Sequence, residues 1–225
     1  MSSPSDPSAD SYRHRGQRRA LVAELRHKGI RDEAVLAALG QVPRHLFFEP
    51  AFESHAYLDK AFPIGEGQTI SQPYTVAYQT ELLQLRAGLR VLEVGTGSGY
   101  QGAVLLTLGA ELFTIEYQPV LFERTRQRLA QLGYRGAQLF CGDGSVGLPA
   151  HAPFDRILLT AAAPALPRPL LQQLRVGGVL VAPVGPPEQV QRMVRITRES
   201  AAEYAREDFE EFRFVPLRGA AGWAG

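Results

Sequence analysis

Apolar residues recur along this chain at two spacings, one helical and one extended, and the alternation between them is the first guide to its fold. Residues 12–28 carry Leu21, Val22 and Leu25 at helical spacing and stop near Gly29, and a second helix is expected over 32–39, with Asp32 as N-cap and Gly40 as its stop. Periodicity then fails over 41–57, which holds Pro43 and Pro50 together with Phe47, Phe48 and Phe52, aromatics expected to pack a small subdomain against the main one. Residues 59–72 read neither as helix nor as alternating strand. Pro73 suits the first turn of a helix running through Val76, Leu82, Leu83 and Leu85, with Ser71 or Gln72 at its N-cap. From there short apolar runs alternate with helical segments: a strand at 91–94 and a helix at 101–108, a strand at 112–116 and a helix at 119–132, then strands at 137–141 and 154–160 and a helix at 167–174. Gly177-Gly178 reads as a tight turn before a strand at 179–184. Residues 190–197 and 209–215 read as an antiparallel pair, with Phe212 and Phe214 on one face and Glu211 and Arg213 on the other. Strand, helix, strand in this order is the grammar of an α/β domain with a doubly wound, mostly parallel sheet.

The joint after the strand at 91–94 is the most informative stretch. Glycines at every second position in Glu93-x-Gly95-x-Gly97-x-Gly99 let the chain turn sharply and pass close to a ligand. A dinucleotide fingerprint would place its third glycine where Tyr100 stands, and a phosphate loop would need Gly-Lys-Ser/Thr, which is absent. The pattern resembles instead the first motif of S-adenosylmethionine-dependent methyltransferases, whose ligand has no phosphate and needs no lysine in the loop. Glu116 ends the next strand 21 positions after Gly95, where doubly wound nucleotide sites place a carboxylate for ribose hydroxyls. Asp143, between two glycines at a later strand end, reads equally as an ordinary turn acid or as a contact for an adenine edge.

Composition narrows the alternatives. The 225 residues, 45% of them hydrophobic, suffice for one sizeable core, and a formal charge of +1 argues against holding nucleic acid by bulk electrostatics. The arginines 13, 15, 18 and 19 lack interleaved aromatics and read as a solvated helix face. One cysteine, Cys141, permits no internal disulfide and points to a reducing cytoplasm; no apolar run is long enough to span a membrane. His45 and His55 find no partner at ligand spacing, so no metal is expected. Residues 1–12 read as a disordered lead-in, 13–85 as N-terminal helices and a substrate segment, 86–218 as the nucleotide-binding sheet and 219–225 as a tail.

Five segments together carry a closer likeness: Val42-Pro43-Arg44-His45-Leu46-Phe47, Pro63-Ile64-Gly65-Glu66-Gly67-Gln68-Thr69-Ile70-Ser71-Gln72-Pro73, the glycine turn, Gly142-Asp143-Gly144, and Phe214-Val215-Pro216-Leu217. In this order, over about residues 17 to 218, they resemble the protein-L-isoaspartate (D-aspartate) O-methyltransferase family. The segment ending in Ser71-Gln72-Pro73 is the most specific, since methyltransferases in general lack it. The resemblance implies a class I, Rossmann-like fold with a seven-stranded, mostly parallel sheet, helices on both faces, one antiparallel strand near an edge, and an N-terminal helical extension. It implies Ser71 as the active-site serine, although spacing alone makes it a capping hydroxyl. It implies Glu93, Gly95, Thr96, Gly97, Ser98, Gly99, Glu116, Tyr117, Asp143 and Gly144 around S-adenosylmethionine, and Gln68, Thr69 and Ile70 along the channel where donor and peptide meet.

The reaction so implied is methyl transfer to the free carboxylate of L-isoaspartyl, and of D-aspartyl, residues in damaged proteins, giving an ester that closes to a succinimide and reopens towards normal linkage. A carboxyl of pKa ~3.9 is already ionised at pH 7, so no general base is required, which fits a chain without a His-Asp or paired-carboxylate constellation. The partners expected are isoaspartyl proteins and peptides, met by a monomer with no nucleic acid and no membrane. Two rivals share the donor: a methyltransferase dedicated to one peptide carboxylate, and a non-catalytic S-adenosylmethionine-binding module, against which the intact Gln68-Thr69-Ile70-Ser71 argues.

Overall fold

A computed structural model describes residues 10–186 and 189–223. The lead-in over residues 1–9 and the last two residues of the tail lie outside them. Seven strands form one sheet: β3 (Arg90–Val94), β4 (Glu111–Glu116), β5 (Gln138–Cys141), β6 (Phe154–Leu159), β7 (Leu174–Val184), β8 (Gln191–Arg198) and β9 (Tyr204–Phe212), in the order β5-β4-β3-β6-β7-β8-β9. Neighbours from β5 to β7 pair in parallel, and β8 runs antiparallel to both β7 and β9. The doubly wound sheet expected from the alternation is therefore present, with its antiparallel strand next to one edge.

Side-chain alternation assigns the two faces. Val91, Leu112 and Leu158 pack with Leu83 of the segment after α3 (Pro73–Leu82) and Leu105 of α4 (Tyr100–Thr107). Leu92, Phe113 and Ile157 point the other way, onto Leu170 of α6 (Arg168–Gln173). Burial on both faces is why these strands read as unbroken apolar runs. A third cluster joins α1 (Tyr12–His27), α2 (Glu33–Gln41) and the aromatics Phe47 and Phe48 to α4 and to α5 (Pro119–Gln131), so the N-terminal extension is a cap on one helical layer. Asp32 caps α2 as expected, accepting from the Ala34 and Val35 amides. Ser11 accepts from the His14 amide at the start of α1.

Three local expectations need correction. Residues 59–72 contain a two-stranded antiparallel hairpin, β1 (Phe62–Gly65) and β2 (Gln68–Ile70), whose strands are too short and polar to show alternation. Gly177-Gly178 is no turn between elements but an irregularity inside β7, where register against β6 shifts; Gly177 has φ +78 and a Cβ on Gly178 would stand 2.8 Å from the Arg175 carbonyl oxygen. The last strand is Tyr204–Phe212 rather than 209–215. It is an edge strand dressed in charge, with Glu207 and Glu211 paired to Arg195 and Arg192 of β8, and such edges carry little apolar signal. Pairing ends where β8 begins, at Gln191, whose side-chain oxygen accepts from the Phe214 amide. Residues 215–217 then cross to the carboxyl edge of β6: the Ala162 amide donates to Val215 and the Leu217 amide to Ala162.

Candidate active site

In this strand order the connections run one way from β3 to β4 and β5 and the other way from β6 to β7, and an open α/β sheet binds ligands at the carboxyl end of such a switch point. An open cavity lies there, walled by the glycine turn after β3, the end of β4, residues 160–161 after β6, the segment 215–218 and the hairpin strand β2 with Ser71.

Three hydroxyls and one amide shape the glycine turn. The Gly95 amide donates to the Ile115 carbonyl (2.9 Å), and Thr125 Oγ1 donates to the Gly97 carbonyl (2.6 Å). Thr160 Oγ1 shares its proton between the carbonyls of Gly95 (2.6 Å) and Val94 (3.0 Å). The Thr96 hydroxyl lies 2.7 Å from that of Thr114. Gly95, at φ +99, leaves no room for a side chain: a Cβ there would stand 2.4 Å from Thr160 Oγ1. Gly144 is equally confined, with Val94 Cγ1 at 2.7 Å from a built Cβ, so the backbone at both places forms a flat wall that a ligand can approach closely.

Glu116 closes the turn from β4. Its Oε2 accepts from the Gly97 amide (2.8 Å) and its Oε1 from the Gln118 amide (2.9 Å), which fixes the carboxylate and leaves further lone pairs facing the cavity it lines. Among the described residues, Glu116 and Arg218 are the only charged side chains on the wall, with no lysine or arginine along the turn itself. Such a surface suits a diol and a sulfonium and places no cation along the turn for a pyrophosphate, so the residues present fit S-adenosylmethionine.

Glu93 stands elsewhere. It lies fully buried beneath the turn, receives a hydrogen bond from Thr114 Oγ1 on Oε2 (2.7 Å), and has no partner for Oε1 among the described residues. Burial, with the nearby Glu116 charge adding to it, pushes its carboxyl up to about 8 from an ordinary 4.5. The folded state thus keeps a proton that the unfolded chain surrenders, and stability falls as pH rises from about 4.5 to about 8, by up to ~1.4 kcal/mol per pH unit. Glu93→Gln is expected to flatten that slope. Denaturant titrations of both proteins at pH 5.5 and pH 8.5 measure it, and parallel slopes would show Glu93 ionised throughout.

Ser71 is anchored through its backbone. Its carbonyl accepts from Arg44 Nη2 (2.8 Å), and Arg44, itself without solvent exposure, also donates from Nε to Ala56 (2.9 Å) and lies over the Tyr100 ring at 4.6 Å. Burial draws that guanidinium down to about 10, still charged at neutral pH. The N-cap position of α3 is Gln72 and makes no side-chain cap. Capping comes instead from Asp59, whose Oδ1 accepts from the Tyr74 amide (2.8 Å) while Oδ2 takes Gln72 Nε2 (3.0 Å) and Lys28 Nζ (2.5 Å). Ser71 is thereby released from the capping role its spacing suggests, and its hydroxyl makes no hydrogen bond to the described residues. Asp59→Ala is expected to cost about 1–2 kcal/mol in urea unfolding and to raise the peptide KM more than the donor Kd.

Residues 16–222 match the profile of the family described as Protein-L-isoaspartate(D-aspartate) O-methyltransferase (PCMT). The chain belongs to that family. It is 58% identical over 214 residues to the protein-L-isoaspartate O-methyltransferase of Cytophaga hutchinsonii, spanning 95% of this chain and 96% of that one. With the protein of the same description from Christiangramia forsetii it shares 56% identity, over 92% and 97% of the two chains. Among solved structures, a protein-L-isoaspartate O-methyltransferase is similar at TM-score 0.81 and 28% identity, over 91% of this chain and 67% of its own. A beta-aspartate methyltransferase (PCMT) from Plasmodium falciparum in complex with S-adenosyl-L-homocysteine has the same fold, at TM-score 0.78 and 22% identity over 89% of this chain and 98% of its own. The likeness read from five motif segments is borne out, as is the class I methyltransferase fold.

Within this isoaspartate methyltransferase framework, Gln68, Thr69, Ile70, Ser71, Gly95, Thr96, Gly97, Ser98, Glu116, Tyr117 and Gly144 all reach the cavity wall. Glu93, Gly99 and Asp143 do not line it. Gly99 serves helix packing, since a Cβ there would meet Thr125 Cγ2 at 2.8 Å. Asp143 accepts from the Ser145 amide and hydroxyl on Oδ1 and from the Ala220 amide on Oδ2 (2.7 Å); burial opposes its charge, but these hydrogen bonds outweigh it and hold the carboxyl below its ordinary range. Sequence reasoning missed Tyr100, Gln101, Gln118, Thr160 and Arg218 as wall residues. Strand ends and the residues next to a glycine turn were the available signal for the first four. Asp10, His14 and His45 also gather, with ligand atoms within 4.8 Å of one another, but both Asp10 oxygens are taken by the Arg18 guanidinium. No helix among the described residues is long and apolar enough to cross a membrane.

Proposed function

We propose that this chain transfers a methyl group from S-adenosylmethionine to the free carboxylate of L-isoaspartyl residues in proteins and peptides, and to D-aspartyl residues as the family description includes them. One observation carries the reading: the glycine turn with Glu116 and the segment from Gln68 to Ser71 face each other across one cavity, so a donor site and an acceptor site share a wall. When bound, the donor supplies an electrophilic methyl on a sulfonium centre. Everything else is positioning.

Glu116 accepts the ribose hydroxyls, and the flat backbone from Gly95 to Ser98 lies along the methionine portion. Gly144 adjoins the adenine, with Asp143 acting through the loop it ties down. Glu93 shapes the turn from beneath. Ser71, with its carbonyl anchored by Arg44 and its hydroxyl unengaged, donates a hydrogen bond to one oxygen of the substrate carboxylate and aims the other. Gln68, Thr69 and Ile70 exclude water along the approach. The carboxylate arrives already ionised, so no residue has to take a proton, and alignment of this kind is worth up to ~7–11 kcal/mol of barrier. The fixed geometry around Ser71 and Glu116 supports that division of labour. A monomer in the cytoplasm is the setting we propose, on the ground that Cys141 is the only cysteine and allows no internal disulfide.

The test is methyl transfer from labelled donor to one peptide made with isoaspartate or with aspartate at the same position. Labelling of the isoaspartyl form alone is the expected result. Labelling of the aspartyl form alone identifies a dedicated peptide methyltransferase, and donor binding with neither labelled identifies a binding module.

A further inference from the structure

Among the described residues, Arg218 is the one cation on the wall of the active-site cavity, and it has no hydrogen bond or ion pair to any of them. Its backbone is held from both sides. Leu217 before it donates to the Ala162 carbonyl (2.7 Å) and accepts from the Trp223 amide (2.8 Å). Beyond it, the Ala220 amide donates to Asp143 Oδ2 (2.7 Å) and the Ala221 amide to Ser145 Oγ (2.9 Å). The side chain is exposed at the rim. A charged group on a fixed backbone at the mouth of a substrate cavity, left without a partner, is a group waiting for an anion from the ligand.

Which ligand supplies the anion follows from position. Arg218 is joined to the segment that Asp143 and Ser145 clamp, beside Gly144, at the adenine end of the donor site as read above. The donor's single anion is the carboxylate of its methionine, at the opposite end by the glycine turn. The methyl-accepting carboxylate belongs at Ser71. An anion for Arg218 must therefore come from elsewhere on the peptide. Consecutive residues of an extended peptide advance ~3.3–3.6 Å each, so a side chain two positions from isoaspartate starts about 7 Å from the reacting centre, and its own length extends that reach towards the cavity mouth. Glu116, the other charge on the wall among the described residues, makes no ion pair with the guanidinium, and the lone pairs left by its two backbone amides serve the ribose in the reading above.

Resting on the isoaspartyl reading of the site, we infer that Arg218 is a specificity-determining residue that favours peptides carrying aspartate or glutamate within about two residues of the isoaspartate. The contact is solvent-exposed, so its effect is modest and screened by salt.

The experiment uses the full chain, wild type and Arg218→Glu, with three isoaspartyl peptides whose residues two before and two after the isoaspartate are both Glu, both Gln or both Lys. Wild-type kcat/KM is expected to fall in the order Glu, Gln, Lys, with about a five-fold span at low salt that narrows in 0.5 M salt, and with the change in KM rather than kcat. Arg218→Glu is expected to reverse the order at an unchanged melting temperature. Equal kcat/KM for all three wild-type substrates, or an order unaltered in the variant, overturns the inference. So does a variant that weakens donor binding in calorimetry and depresses all three peptides alike, which would assign the guanidinium to the donor's carboxylate. Failure of the wild type to methylate any of the three overturns the isoaspartyl reading itself, and this inference with it.

Discussion

Gly95→Ala is expected to reduce donor affinity at least 100-fold while the sheet stays folded. Two costs combine. A residue with a Cβ pays about 1–2 kcal/mol to hold a left-handed conformation, and Gly95 sits at φ +99. In addition the new carbon would stand 2.4 Å from Thr160 Oγ1, a contact that ordinary side chains do not make. Relief requires Thr160 to rotate, and Thr160 is the group that binds the carbonyls of Gly95 and Val94. Either the turn shifts into the cavity or its hydroxyl clamp opens, and in both cases the wall beside the methionine portion is lost. Isothermal calorimetry with S-adenosylhomocysteine, set beside a circular dichroism melt, separates this from unfolding. Retained affinity would mean that the turn tolerates rearrangement and is not part of the donor site. The double variant Gly95→Ala with Thr160→Ala relieves the clash, leaving the Cβ of residue 160 at 3.7 Å, but removes the hydroxyl clamp as well, so it is expected to bind no better than Thr160→Ala alone.

Ser71→Ala is expected to lower kcat on an isoaspartyl peptide by about 10- to 100-fold and to change the donor Kd less than two-fold. A hydrogen bond to a charged acceptor is worth ~1.5–3 kcal/mol, and the alignment it enforces is lost with it. Stability should barely move, because the serine hydroxyl bonds nothing in the described protein and the helix cap is carried by Asp59. That last point makes the variant diagnostic. Were Ser71 a capping residue, its loss would cost ~1 kcal/mol in urea unfolding and leave kcat nearly intact. Cysteine at the position, a poorer donor of similar size, should fall between the two. An unchanged kcat in the alanine variant would remove Ser71 from the mechanism.

Much of the architecture was legible because the central strands are buried on both faces. Continuous apolar runs at β3, β4 and β6 follow directly from that burial, and the helices between them keep a periodicity that local sequence can display. Where the outcome depended on edges and short pairings, local reading failed. Residues 204–208 carry no apolar alternation because an edge strand satisfies its charges against its neighbour, as Glu207 does against Arg195. The hairpin at 62–70 is three or four residues a side and is held by pairing that no window of sequence contains.

The candidate site divides in the same way. Gly95, Gly97 and Glu116 were readable from spacing, because a turn that admits a ligand and a carboxylate one strand later are local demands on the chain. Glu93 belongs to the same motif yet works from beneath the turn, a distinction that depends on which face of β3 it occupies and on Thr114 across the ladder. Asp59 capping a helix 14 residues away, Arg44 reaching from one end of the extension to the Ser71 carbonyl, and Arg218 arriving at the cavity rim from the far edge of the sheet are contacts between segments remote in sequence. The chain alone determined its class, its donor motif and its family, since these rest on residue types at short range. Tertiary structure decided which hydroxyl is left unengaged, which acid is buried, and which cation reaches the cavity wall, because each of those depends on desolvation and partners that only the folded chain brings together.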